Sequence, residues 1–144
     1  GLEPRYLELE VTENVLMRDA ESTDSVLRAL ADLGVKLAID DFGTGCSSLS
    51  YLRKFANNTL KIDQSFVNQI TSNPDDALFV SAMISMGKSL KLRVIAEGVE
   101  TAEQVAFLLS RHCDEGQGHF FSPPVAAEAL GALLQTGVLP VLPH

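Results

Sequence analysis

The chain has 144 residues, 46% of them apolar and 21% charged, with no tryptophan and a formal net charge of −8. That length supports one ordinary domain with a real core. The acidic balance argues against a nucleic-acid polymer as partner, which wants a basic stripe, but leaves room for a small phosphate ligand held through metal ions.

Tyr6 to Val11 alternates strictly and predicts a strand with Glu8 and Glu10 on one face. From about Ala20 to Leu33, Val26, Leu27, Leu30 and Leu33 recur at helical spacing, and Gly34 stands at the expected stop. Val35 to Asp40 predicts a second strand, nearly continuously apolar, as parallel strands buried on both faces are. Ser47 to Phe55 reads as a short helix and Thr59 to Asp63 as a third strand. A helical piece over Phe66 to Ile70 follows, and then a long helix that Asn73 and Pro74 introduce and that runs to about Leu90. Leu92 to Ala96 predicts a fourth strand, Ala102 to Ser110 a helix, and Cys113 to Gly118 a weak fifth strand. Ala126 to Leu134 is the last predicted helix, before an apolar, proline-marked tail from Val138 to Pro143. Repeated βα units predict an α/β fold with a parallel sheet, either doubly wound or closed as a barrel. Four to five units are a little over half of an eight-unit barrel, which takes about 250 residues. No linker divides the sequence, so residues 1–144 read as one continuous part of a larger domain.

Two cysteines, Cys46 and Cys113, are too few for a disulfide framework and fit a reducing compartment. No signal-peptide pattern is read in this sequence, so none is expected, and the longest nearly apolar run, Ala77 to Met86, is too short to span a bilayer. The expected location is therefore the cytoplasm, with anchorage of a parent chain left open. Because the sequence begins at Gly1 rather than methionine, a processed, cloned or cleaved piece is expected.

The chemistry gathers at the predicted strand ends. Ala38 to Gly45 is an apolar strand closing in two adjacent carboxylates, Asp40 and Asp41, and a glycine-rich turn. Neighbouring carboxylates repel, so two ionised acids in a pocket call for a cation beside them. Glu10, Glu13 and Asn14 end the first strand, Lys61 and Asp63 the third, Glu97, Gly98 and Glu100 the fourth, and Gln117 and Gly118 the fifth. Taken singly, such residues are more often helix caps, turn formers or solvated side chains. Five strand ends matching together argue instead for one rim, where parallel barrels place their active sites.

These residues also carry a resemblance. Glu-Val-Thr-Glu-Asn (10–14), the Asp-Asp-Phe-Gly-Thr-Gly run with its Cys-Ser-Ser-Leu-Ser-Tyr-Leu extension (40–52), Leu-Lys-Ile-Asp-Gln-Ser-Phe-Val (60–67), Ile-Ala-Glu-Gly-Val-Glu-Thr (95–101) and Gln-Gly-His-Phe-Phe-Ser-Pro-Pro (117–124) resemble the second half of the EAL domain. That family consists of bacterial (β/α)8 TIM-type barrels that hydrolyse cyclic di-GMP to the linear dinucleotide pGpG. The resemblance implies that Glu10, Asp40 and Asp41 are metal ligands of a two-metal site, with Mg²⁺ or Mn²⁺ as the ions. It further implies that Glu13 holds the Asp-Asp-Phe-Gly loop and that Lys61 contacts the metal's water or the phosphate. Glu97 is implied near the second metal and the catalytic water, and Gln117 completes the rim. Hard carboxylate oxygens suit these hard ions.

Departures from the family pattern define the remaining expectations. The Glu-Ala-Leu signature and a metal-binding asparagine, both upstream of Glu10 in the family, fall outside this sequence. Glu128-Ala129-Leu130 spells the tripeptide, but in the last predicted helix, where it reflects helix-favouring composition and not a site. Phe55 to Asn58 replaces the usual link before the lysine strand, His119 stands where an aromatic is usual, and Cys46 occupies another aromatic position and is expected to pack. His112 and His144 show no partner spacing.

The expected function is thus the C-terminal part of a metal-dependent cyclic di-GMP phosphodiesterase, inactive as an isolated chain. Self-association or pairing with the other barrel half is expected, with a regulatory sensor or GGDEF domain in the parent chain. The alternative is a degenerate EAL domain, a non-hydrolytic cyclic di-GMP receptor or interaction module.

Overall fold

The computed structural model describes residues 1–18, 20–45, 52–53 and 58–136. Among them, β1 (Glu8–Thr12), β2 (Lys36–Phe42), β3 (Thr59–Ile62), β4 (Arg93–Glu97) and β5 (Glu115–Gln117) form one sheet. The strands pair in chain order and every neighbouring pair is parallel. A doubly wound sheet reverses its order partway; this one advances by one strand per βα unit, as a TIM-type barrel wall does. The described helices are α1 (Glu13–Arg18), α2 (Ala20–Asp32), α3 (Gln64–Val67), α4 (Pro74–Ser89), α5 (Ala102–Ser110) and α6 (Ala127–Thr136). No helix among the described residues is long and apolar enough to cross a membrane.

Most predicted elements recur with shifts of one to three residues, and the shifts have local causes. A 3-10 turn over Pro4–Tyr6, closed by Leu7 N–H donating to Pro4 C=O at 2.9 Å, delays β1 to Glu8. Asp63 caps α3 by accepting Ser65 N–H at 2.9 Å, so that helix starts at Gln64 and not at Phe66. Asn73 caps α4 in the same way, with Pro74 in the first turn, where its missing N–H costs nothing. Thr101 and Gln104 form a reciprocal capping box that starts α5 at Ala102, as the sequence predicts. The reading above contains no helix at α1: six residues give too few turns for a periodic pattern to declare itself. The helix predicted over Ser47–Phe55 lies outside the described residues apart from Leu52 and Arg53, as does the tail from Val138 to Pro143.

Strand alternation sorts the sheet into two unlike faces. On the helix side, Leu37, Ile39, Leu60, Ile62, Val94 and Ala96 join α4 and α5 in one apolar cluster. Leu60, Ile62, Val80 and Val94 are fully buried there, each stabilising the fold by about 1.5–3 kcal/mol. The α4 backbone comes so close to β4 that a Cβ on Gly87 would sit 2.5 Å from Val94 Cγ2, so only glycine fits. The opposite face carries Glu8, Glu10, Ala38, Asp40, Thr59, Lys61, Arg93 and Glu97, with Ile95 between the last two. The nearly unbroken apolar reading of β2 therefore changes at its end: Leu37, Ala38 and Ile39 are buried, whereas Asp40 is half-buried among charges.

Candidate active site

Adjacent residues of a regular strand point to opposite faces, so Asp40 and Asp41 should diverge. They converge because the β2–β3 pairing slips between Ile39 and Phe42 and Asp41 adopts a left-handed backbone, φ 53°. Such irregularities re-aim side chains, and aspartate is among the few residue types that tolerate this conformation. With Glu97 at the end of β4, the two aspartates present carboxylate oxygens within 4.8 Å of one another.

Lys61 stands among the acids. Its Nζ lies 2.6 Å from Glu10 Oε1, 2.8 Å from Glu97 Oε1 and 3.2 Å from Asp40 Oδ1, and its side chain is only 7% exposed. Burial works to lower the lysine pKa, but the carboxylates of Glu10, Glu97 and Asp40 outweigh it and push the value up, so the ammonium stays charged. Burial raises the Glu97 pKa, and Asp40 and Glu10 add to the rise, against the opposing pull of Lys61. Asp41 is raised as well, by desolvation first and then by Asp40 and Asp63. One ammonium thus faces several carboxylates. Asp40 Oδ1 is buried without a hydrogen-bond partner among the described residues, Lys61 lying at 3.2 Å without hydrogen-bond geometry. An orphaned acceptor beside two further acids is what a hard divalent cation would satisfy, and the all-oxygen donor set fits Mg²⁺ or Mn²⁺.

Glu13 supports this rim from behind. Although it opens α1, it is 1% exposed, and its Oε2 accepts both Gly43 N–H at 3.1 Å and Gly45 N–H at 3.2 Å. A Cβ on Gly45 would lie 2.9 Å from Glu13 Cδ, and Gly43 has φ 103°, so both glycines are needed for the turn to close on the carboxylate. Gln117 sits opposite Glu97 in the β4–β5 register and is exposed. Its carbonyl accepts Val99 N–H at 3.0 Å, tying the Glu97-Gly98-Val99 turn to β5.

A cleft of about 560 Å³ opens beside the acids, lined by Asp41, Asp63, Glu97, Gln117 and His119 among others. A smaller apolar cavity, about 160 Å³, lies away from this rim, between α5 and Phe120–Phe121.

Of the residues singled out in the sequence, Asp40, Asp41, Lys61, Glu97 and Gln117 meet at this rim. Glu10 reaches it through Lys61 and stands apart from the three-acid group, its side chain 52% exposed. Glu13 acts on the loop. Asp63 and Gln64 are cleft residues that the sequence reading left unassigned; an acid that both ends a strand and caps the next helix was the available signal. Glu128 falls in the first turn of α6, and His112 is exposed after α5. Cys46, His144 and residues 55–57 lie outside the described residues.

A parallel barrel-type wall with a carboxylate and lysine rim at its C-terminal edge defines the class of the protein: a TIM-type α/β domain with an acidic cleft at the edge where such folds place their sites. The family model described as the EAL domain matches residues 1–124, and the chain belongs to that family. It is 47% identical over 135 residues to the cyclic di-GMP phosphodiesterase NbdA of Pseudomonas aeruginosa, covering 94% of this chain and 17% of that protein. The MucR phosphodiesterase structure, a cyclic di-GMP complex, superposes with a TM-score of 0.86 at 46% identity, over 90% of this chain and 52% of that one. A manganese and cyclic di-GMP complex of Klebsiella pneumoniae BlrP1 superposes with a TM-score of 0.79 at 38% identity, over 86% and 32% of the two chains. The sequence spans about a fifth of the length of the curated relatives it matches.

Proposed function

We propose that this chain supplies five strand ends of the active site of a metal-dependent phosphodiesterase that hydrolyses cyclic di-GMP to linear pGpG. The convergence of Asp40, Asp41 and Glu97 around an orphaned buried oxygen, with Lys61 beside them, carries the proposal. Identity of 47% to a protein named for this activity supports it.

Asp40, Asp41 and Glu97, with Glu10, would hold Mg²⁺ or Mn²⁺. When bound, such ions supply Lewis acidity that activates water and stabilises the leaving 3′-oxygen. Lys61, kept charged by its carboxylate neighbours, donates to a non-bridging phosphoryl oxygen as charge builds there. Glu97, which lines the cleft beside the two aspartates, would accept a proton from the attacking water. Water adds to phosphorus as the P–O3′ bond breaks; its proton passes to Glu97 and the departing 3′-oxygen takes one from solvent, leaving a 5′-phosphate and a 3′-hydroxyl. Glu13 holds the Asp41–Gly45 turn so that the aspartates keep their orientation, and Gln117 fixes the far side of the cleft.

The isolated chain should turn over little or no substrate. β1 and β5 end the described sheet, and Val125, Leu130 and Leu134 are exposed. Such surface suits pairing with the remaining barrel half or with a second copy. A regulatory sensor or GGDEF domain in the parent chain fits MucR, a relative named as a bifunctional diguanylate cyclase and phosphodiesterase.

The test is incubation of the complete domain with cyclic di-GMP and Mg²⁺ or Mn²⁺, with Asp40→Asn as the control. Formation of pGpG that Asp40→Asn abolishes is the expected result. Undiminished turnover in the variant would sink the metal assignment, and binding without hydrolysis would make the protein a receptor.

A further inference from the structure

The inner face of the sheet carries a second ionic tier below the first, two residues lower on β1 and β3 and four lower on β4. Arg93 on β4 reaches across the sheet to β1, where its Nη2 straddles Glu8, 2.8 Å from Oε2 and 3.1 Å from Oε1. The same guanidinium donates to Thr59 Oγ1 on β3, at 3.2 Å from Nε and 3.0 Å from Nη2, and its Nη1 lies 3.3 Å from Glu115 on β5. Thr59 in turn donates its hydroxyl proton to Glu8 Oε1. On β2, Ala38 pairs with Thr59 and presents only a methyl group, so the Glu8 side chain, which starts beside Lys36 in register, can pass over it to reach β3 and β4.

Strand alternation makes this tier the floor of the candidate site. Glu8 lies two residues below Glu10, Thr59 two below Lys61 and Arg93 four before Glu97, with Ile95 between, each set on one strand and one face. Interiors of parallel barrels are usually filled by branched apolar layers at this depth. A planar guanidinium joining four strand positions is a different solution, with fixed donor directions where an apolar layer has none.

We propose that Arg93 is a positioning residue for the metal centre: by gripping Glu8 it fixes the height of β1, and so the place at which Glu10 meets Lys61 and the metal. Among the described residues β1 has a single strand neighbour, β2, and Glu10 rests on Lys61 alone. The inference deepens the proposed function and rests on Glu10 being a ligand.

The test measures Mn²⁺ binding to the complete domain by the electron-spin-resonance signal of the free ion, with no turnover involved. Arg93→Lys keeps the charge but loses the planar fork, and should weaken Mn²⁺ roughly tenfold, the low end for outer-shell partners of metal ligands. Glu8→Gln, which preserves shape and most hydrogen bonds, should act the same way and serves if Arg93→Lys fails to fold. In a Glu10→Gln background either change should alter Mn²⁺ affinity less than about twofold, since the path runs through Glu10. Equal weakening with and without Glu10, or no weakening in either floor variant while the unmodified domain binds Mn²⁺, overturns this inference alone. Failure of the unmodified domain to take up Mn²⁺ would overturn the proposed function and the inference together.

Discussion

Replacing Glu13 probes the loop that aims the aspartates. Glu13→Leu keeps nearly the same volume in a site that is 1% exposed, so packing changes little. What disappears is one carboxylate oxygen that accepts two backbone amides, from Gly43 and Gly45. Leaving a buried amide without its partner costs about 1–3 kcal/mol. Both donors are partly buried, so the low half of that range applies to each, and the two together cost about 3 kcal/mol. For a domain of this size that corresponds to a fall of roughly 6–12 °C in Tm. Glu13→Gln can keep an oxygen in place and both hydrogen bonds, losing only the charge assistance, so its cost should be near 1 kcal/mol. Urea or thermal unfolding of the complete domain, read beside Mn²⁺ affinity, separates the variants. Leu should lower both stability and affinity, and Gln should lower affinity more than it lowers stability. A Leu variant with an unchanged midpoint and unchanged Mn²⁺ affinity would refute the argument that this carboxylate shapes the loop.

Asp41→Asn should raise the Tm of the metal-free protein at neutral pH. The Asp41 pKa is raised in the fold, so its ionised form is disfavoured there; the penalty is absent below the unfolded value of 3.8 and complete once pH exceeds the folded value. Added Mn²⁺ should reverse the order, stabilising the parent but not the variant; a metal-free Tm that falls would contradict the repulsion argument. Lys61→Met should lower turnover about 10²–10³-fold and destabilise the fold by roughly 3 kcal/mol, because acids that share the lysine lose their cation. Since its pKa is raised, the lysine's contribution persists at every pH below the unfolded value of 10.5 and is lost only above the folded one; a parent protein that loses this advantage between pH 7 and 9 would contradict it. Gly118→Ala would place a Cβ 2.1 Å from Val99 O and 2.3 Å from Val99 N, so backbone must move and the Gln117–Val99 hydrogen bond should break. A loss of at least about 2 kcal/mol on denaturation is expected, and wild-type stability would show that this turn is not packed as described.

The βα rhythm was legible because buried strands and amphipathic helices have different periods, and because Asn73 with Pro74 and Thr101 with Gln104 mark their helix starts chemically. The set of acids was legible because carboxylates at strand ends have few purely structural reasons to recur. The pairing slip in β2 was not, since two adjacent aspartates look the same in a regular strand and a bulged one. Nor was α1, where Glu13 is at once the first helical residue and a buried acceptor for a turn thirty residues away. Arg93 escaped notice for a related reason. A lone arginine opening a strand resembles a surface residue until the sheet brings Glu8 across to it, 85 positions back in sequence.

The slip between Ile39 and Phe42 also bears on anyone who would move this centre into another scaffold. Copying Asp40 and Asp41 onto an ideal strand would send one carboxylate into the helix layer and leave a single acid on the rim. The transplantable unit is the irregular backbone from Ile39 to Gly45 together with Glu13, the distant acid that holds its turn. A length change of one residue within that stretch would undo the convergence even if every acidic side chain were kept.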